Sequence, residues 1–143
     1  MGKKLIFLFA FILITVNSFA NNINVTIQIN GVNVGGGLLY VAVYSNETGY
    51  KNKQAFVSFT LNPDNTRLNH SLELPEGEYV VSIFQDTNND GRLNKAIFGI
   101  PTEPVGITNY NHRGAPGNFN KLKIPVNSNS TTIIVNMGRV RPL

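Results

Sequence analysis

The stretch that decides the fold runs from Leu74 to Pro104, LPEGEYVVSIFQDTNNDGRLNKAIFGIPTEP. It opens with a Pro-Glu-Gly turn and continues into an apolar segment, Tyr79 to Phe84. Apolar side chains occupy both faces of this segment, which is typical of a central strand that is covered on both sides. Val81 and Ile83 should lie on one face, and Val80 and Phe84 on the other. An acidic, Asn-rich loop follows directly.

Six other segments have strand patterns. The clearest is Asn22 to Asn30, where apolar and polar residues alternate as in a half-buried strand. The others are Leu38–Tyr44, Ala55–Leu61, Arg67–Leu74, Lys121–Val126 and Thr131–Met137. Gly, Pro and Asn turns separate them, and no stretch has a helical pattern. The sequence therefore predicts an all-β fold, a seven-stranded antiparallel β-sandwich, with a barrel as the alternative.

The first 20 residues have the pattern of a secretory signal peptide. Lys3 and Lys4 precede an apolar run, and Ser18-Phe19-Ala20 has the small residues of a cleavage site. An uncleaved membrane anchor is the alternative, but the run is shorter than the ~20 residues of a spanning helix. We expect residues 1–20 to be removed, residues 21–143 to form a single β-sandwich domain, and no transmembrane segment to remain. The predicted location is periplasmic or secreted, with attachment at the cell surface left open.

The composition of the chain bears on how the domain is stabilised and on which partners it can bind. The chain contains no cysteine, so an exported domain must be stable without disulfides. Loss of Lys3 and Lys4 lowers the formal net charge of +4 by two. The remaining basic residues are scattered along the chain, which argues against a nucleic-acid partner.

The loop after the central strand is the candidate metal site. Asp86, Asn88 and Asp90, followed by a glycine, match the first half of an EF-hand calcium loop, in which alternate side-chain oxygens converge on one ion. The Arg92 carbonyl and Asn94 would supply further ligands. The twelfth position is Ile97 where a bidentate Glu is usual, so Glu103 is predicted to provide the missing carboxylate. Calcium is the candidate cofactor, and the alternative is an Asn/Asp turn that bonds its own backbone.

A catalytic site has weaker support. The two histidines, His70 and His112, are far apart in the sequence, and His70 falls on the apolar face of a strand pattern. The Gly- and Pro-rich passage from Phe98 to Phe119 is predicted to be an ordered loop packed over the sandwich. A small enzyme could use Glu103, His112 and Asp86 if this loop brought them together.

Three separated motifs occur in order along the chain: LPEGEYVVSIFQDTNNDGRLN, FGIPTEPVGITN and GAPGNF. Together they resemble the bacterial domain-of-unknown-function 2141 family, in a match from about Leu38 to Met137. Gln85 stands where the family often has His, and Asn94 where it often has Asp, which weakens a metal role by analogy. The L-P-x-G-x-Y turn also resembles that of transthyretin-like and carboxypeptidase-regulatory-like sandwiches, which supports the fold and implies no particular activity. The predicted sandwich is thus immunoglobulin-like or transthyretin-like.

The sequence thus favours an exported, non-enzymatic β-sandwich that acts as a binding or accessory module, with a weak calcium loop as an added feature. Its partner could be a protein, a glycan or a small molecule. The alternative is the small extracytoplasmic enzyme that uses the loop of residues 98–119.

Overall fold

The computed structural model describes residues 21–143 and shows a two-layer, all-β sandwich. The predicted signal peptide lies outside the described residues. The strands are β1 (Asn22–Asn30), β2 (Leu39–Tyr44), β3 (Val57–Leu61), β4 (Arg67–Pro75), β5 (Gly77–Gln85), β6 (Val105–Ile107), β7 (Ile124–Val126) and β8 (Thr132–Asn136). Two short helices, α1 (Glu47–Asn52) and α2 (Phe119–Leu122), and a 3₁₀ turn (Ile97–Gly99) complete the elements.

The two layers are a three-stranded and a five-stranded sheet. The smaller sheet has the order β4-β1-β8, and the larger has the order β3-β2-β5-β6, with β7 paired to the beginning of β5. Apolar side chains that alternate along β1, β2, β5 and β8 point between the sheets and form the main core. The fold class is therefore the predicted one, an all-β sandwich.

The strand count and pairing correct the prediction in two respects. There are eight strands in the described chain, because residues 105–107 of the long irregular passage form the additional strand β6. The sandwich is also not wholly antiparallel, since β1 and β8 run parallel. Strand periodicity cannot reveal a three-residue edge strand, and it carries no information on the direction of a distant partner.

Strand β5 is the central strand, as predicted. It pairs with β2 on one side and with β6 and β7 on the other. Val81 and Ile83 lie in the core between the sheets, whereas Val80 belongs to a second apolar cluster on the outer face. The turn before β5 is held by the Tyr79 hydroxyl, which donates a 2.7 Å hydrogen bond to the Pro75 carbonyl.

The prediction that no helix is present was wrong. Asn46 caps α1 by accepting a hydrogen bond from the Gly49 N–H at 2.8 Å, and Tyr50 packs edge-on against Tyr44 at 5.3 Å between ring centroids. Helix α2 occupies the beginning of the predicted last-but-one strand. Both helices are too short to show helical periodicity in sequence, and they cover one end of the outer face of the larger sheet. In residues 21–143, no helix is long enough and apolar enough to cross a membrane.

The two sheets are joined along one side. Val105 of β6 and Gly138, just after β8, exchange two backbone hydrogen bonds of 2.8 and 2.9 Å. A Cβ atom at Gly106 would lie 2.8 Å from Val135 Cγ1, so only glycine allows this close approach. The junction fixes the irregular passage at Val105, and Val105 and Phe119 of this passage are buried, whereas Phe98 at its beginning is exposed.

Candidate functional site

The loop after β5 is closed by its own first carboxylate. Asp86 is 2% exposed, and its two oxygens accept hydrogen bonds from the Asp90 N–H at 3.1 Å and the Gly91 N–H at 2.8 Å. The Asp86 N–H in turn donates to the Leu38 carbonyl at 2.9 Å. Gly37 has φ +94°, and a Cβ there would lie 1.8 Å from the Asp86 carbonyl oxygen, so the glycine run allows this contact.

A second set of short-range hydrogen bonds surrounds Asp90 in the middle of the loop. One oxygen of this exposed carboxylate accepts from the Arg92 N–H at 2.9 Å, and the other accepts from the side chains of Asn94 at 2.9 Å and Asn88 at 3.2 Å. These bonds favour the ionised form and lower the pKa of Asp90 below its ordinary value, with the Asn94 amide as the largest contributor. Asn88 also accepts from the Asp90 N–H at 3.3 Å, as in an Asx turn.

Glu103 links this loop to the following segment. It is 3% exposed, and one oxygen accepts from the Thr87 N–H at 2.8 Å and the Thr87 hydroxyl at 3.2 Å. The other oxygen accepts from the Asn94 N–H at 3.1 Å. Glu103 therefore folds back onto the loop and binds both of its ends, whereas its role as a metal ligand stays a prediction.

The linked segment is a small hairpin between Asn94 and Thr102. The Thr102 N–H donates to the Asn94 carbonyl at 2.9 Å, and the Ala96 N–H donates to the Ile100 carbonyl at 2.8 Å. Its tip carries Ile97 and Phe98, and Phe98 is 95% exposed with φ +66°. A bulky residue in the left-handed region is unfavourable by itself, so the hairpin holds an apolar side chain in solvent at some cost.

A cleft of about 480 Å³ lies between this hairpin and the outer face of the larger sheet. Its floor includes Ser82 and Phe84 of β5, and Phe84 stacks on Tyr40 with ring centroids 4.9 Å apart. Its walls come from the end of the acidic loop, the hairpin, the passage before α2 and the last residues of the chain, including Leu93, Ile100, Pro101, Tyr110, Pro116 and Pro142. The cleft continues over β2 and β3, along Tyr40, Ala42 and Thr60. Most of these side chains are apolar, which is typical of a small-molecule site.

The acidic loop therefore positions one wall of the cleft. Asp86 closes the loop, Glu103 fixes both of its ends, and the hairpin that starts at Asn94 carries Lys95, Phe98 and Ile100 to the cleft. The same residues that the sequence selected as metal ligands thus act as a hydrogen-bonded scaffold for a neighbouring surface.

The structure brings most of the predicted metal ligands together through hydrogen bonds. Asp86, Asn88, Asp90 and Asn94 form one connected network, and Glu103 joins it through the Asn94 backbone. Arg92 enters through its N–H, which binds Asp90. Within residues 21–143, no group of three or more carboxylate, imidazole or thiol side chains is arranged to hold a metal ion. One buried oxygen of the network, Asn94 Oδ1, has no hydrogen-bond partner in this part of the chain.

The polar groups of the enzyme alternative are bound to the backbone. Both oxygens of Asp86 and of Glu103 accept backbone N–H groups. His112 Nε2 lies 2.9 Å from the Val105 carbonyl oxygen. The other histidine, His70, stacks on Phe59 with ring centroids 4.2 Å apart.

Sequence reasoning missed the cleft, and it missed the role of Gln85. Gln85 is fully buried and points away from the acidic loop: its amide binds the Asn33 N–H, the Asn33 carbonyl and the Gly37 carbonyl at 2.7–3.1 Å. The residues of the cleft come from five separate parts of the chain and share no spacing, so no pattern could have revealed them. The apolar Ile97–Phe98 pair in a turn-rich segment was the one available signal.

Comparisons with known proteins identify a family and no function. A family model described as "Uncharacterized protein conserved in bacteria (DUF2141)" matches residues 27–134, which is most of the chain. No curated protein and no solved structure matches the chain.

Proposed function

The chain belongs to the bacterial DUF2141 family, and on that premise we propose that it is a non-enzymatic binding module whose outer-face cleft takes a small, largely apolar ligand. One observation carries the proposal: an apolar cleft of about 480 Å³ is built on a rigid sheet and is walled by a hairpin that a hydrogen-bonded network holds in place. Clefts of about 300–1,000 Å³ with mostly apolar linings are the usual form of small-molecule sites.

The chemistry of the lining supports binding over catalysis. A general acid or base must reach the reacting atoms with a free polar atom. The carboxylates of Asp86 and Glu103 bind backbone N–H groups, and neither residue lines the cleft. Ser82, on the floor, has neither histidine among the lining residues to activate it.

A neutral, environment-sensitive dye such as Nile red tests the proposal. We expect its fluorescence to rise on binding to the purified protein, and we expect Ser82→Trp to abolish the rise because the indole fills the floor of the cleft. A matched control, Ser71→Trp on the outer face of the smaller sheet, should leave dye binding unchanged. Equal dye binding by all three proteins would show that the cleft is not the site, provided that each variant melts cooperatively.

Calcium binding by the acidic loop is a second candidate function, and the buried oxygen of Asn94 favours it. A buried acceptor without a partner costs about 1–3 kcal/mol, which a cation beside it would offset. Asp86 and Asp90 can still bind a cation. A carboxylate has about four acceptor positions, and these two carboxylates accept only two or three hydrogen bonds each. Together with the Asn88 oxygen and the Arg92 carbonyl, these groups would bind a hard cation weakly, at roughly 10⁻⁴ to 10⁻³ M.

We also propose that the module acts outside the cytoplasm. The support is the signal-like sequence of residues 1–20 and the absence of cysteine, which leaves the fold independent of the redox state of its compartment. Intact-mass spectrometry of protein recovered from the periplasm or medium of an expressing bacterium should give a chain that begins at Asn21. A mass that retains the first 20 residues would contradict cleavage.

A further inference from the structure

We propose that the ligand of the cleft is a small amphipathic anion, with an apolar chain or ring and one acidic group. This inference rests on the proposed function of the cleft and adds the chemical class of its ligand. Three cationic residues, Lys53, Lys95 and Arg141, line the cleft in the described chain, and no acidic side chain does. A cleft with an apolar floor and a purely cationic set of charged side chains complements such a molecule at both of its ends.

The three cations have no carboxylate partner in the described part of the chain. The ion pair found there joins Lys123 to Glu78, with 2.6 Å between nitrogen and oxygen, and lies elsewhere. Lys53 Nζ instead lies 4.9 Å from the centroid of the Tyr50 ring, which is itself a lining residue. This cation–π contact holds the ammonium group at the cleft and leaves it available to a second, anionic partner.

The position of the lysines fixes the orientation of the ligand. Lys53 and Lys95 line both the main cleft and its continuation over β2, together with Ser82, Phe84 and Leu93. They therefore mark the junction of the two parts. An acidic group between them would have the Ser82 hydroxyl on the floor beside it. The apolar body would extend along Phe84 toward Ile100 and Tyr110 in the main cleft.

The hairpin tip adds apolar surface to the same ligand. Phe98 lines the cleft although it is 95% exposed, so a ligand in the main cleft would remove part of its ring from water. The volume of about 480 Å³ fits a medium-length chain or a bicyclic ring rather than a folded partner.

Calorimetry with three molecules of equal chain length tests the inference: decanoate, decanol and decylamine. We expect decanoate to bind about tenfold more tightly than decylamine at neutral pH, with decanol between them. The reason is that decanoate can form two or three exposed ion pairs with the cationic side chains, whereas decylamine forms none. We expect Lys53→Met with Lys95→Met to weaken decanoate binding roughly tenfold and to leave decanol within about twofold. Lys51→Met, in α1 and outside the cleft lining, is the control and should change neither.

The outcomes separate the two proposals. Equal affinities for the three molecules, or no decanoate binding by a protein that still binds Nile red in the cleft, would overturn the anion inference alone. If the Lys53→Met/Lys95→Met variant still prefers decanoate, the anion inference is overturned as well, because the two lysines would then not bind the carboxylate. If Nile red and all three molecules bind no better to the protein than to its Ser82→Trp variant, both the cleft proposal and the anion inference are overturned.

Discussion

Glu103→Gln should destabilise the protein strongly although it removes only one negative charge. The carboxylate is 3% exposed and accepts three hydrogen bonds, two from Thr87 and one from the Asn94 N–H. Glutamine has the same length, but one end of its amide is a donor. In either orientation the NH₂ group faces a backbone N–H, so at least one buried donor loses its acceptor.

The magnitude follows from these bonds. Leaving a buried N–H unsatisfied costs about 1–3 kcal/mol, and a hydrogen bond to a charged group contributes about 1.5–3 kcal/mol. The neutral amide also has a smaller desolvation cost on burial than the carboxylate, and this difference offsets part of the loss in stability. We expect a net loss of about 2 kcal/mol in the free energy of unfolding, or a fall of roughly 6–10 °C in Tm at 3–5 °C per kcal/mol.

Urea unfolding and thermal melts of the purified protein measure this change. The control is Glu73→Gln, an exposed glutamate on β4, which should stay within about 0.5 kcal/mol of the native protein. Because the hairpin that walls the cleft depends on Glu103, the variant should also bind Nile red more weakly at a temperature where it is folded. A loss of stability below 0.5 kcal/mol would refute the view that Glu103 holds the loop and the hairpin together.

Three further predictions concern the core, the loop and the ion. Ile83→Ala should cost about 2–5 kcal/mol, because the side chain is 2% exposed between the sheets; a loss under 0.5 kcal/mol in urea unfolding would place β5 at the periphery. Asn94→Ala should raise the pKa of Asp90 as followed by NMR, since the Asn94 amide is the largest cause of its lowered pKa, and an unchanged pKa would contradict that cause. The lowered pKa stabilises the native fold above the unfolded-state pKa of about 3.9, and this contribution disappears as the pH falls through the folded-state value. With calcium at ~10 mM and a Kd near 1 mM, stability should increase by about 1.4 kcal/mol over a chelator-treated sample, and Asp90→Ala should abolish the increase; identical melting curves would leave the loop as an Asx turn without an ion.

Local sequence determined the strands and their faces. Alternation in β1 and β4 and the apolar side chains on both faces of β5 specified which side chains are buried, because the side-chain period of a strand is two and burial acts on each residue directly. The acidic loop was also recognisable, since Asp86, Asn88 and Asp90 bind their neighbours within five residues. The motifs shared with the DUF2141 family identified the family correctly.

Tertiary structure decided the strand pairing, the long-range side-chain contacts and the cleft, which no local sequence pattern contains. The parallel pairing of β1 with β8 joins residues about a hundred positions apart, and β6 is a strand only because β5 and Gly138 supply its hydrogen bonds. Glu103 binds the loop through a contact 16 residues away, and Gln85 binds a turn some 50 residues before it. The cleft arises in the same way: its floor belongs to a strand, its walls to distant loops, and its cationic side chains to Lys53, Lys95 and Arg141. Such a surface forms only when residues that are distant in sequence pack together, because the free energy that positions each lining residue comes from contacts with those distant partners.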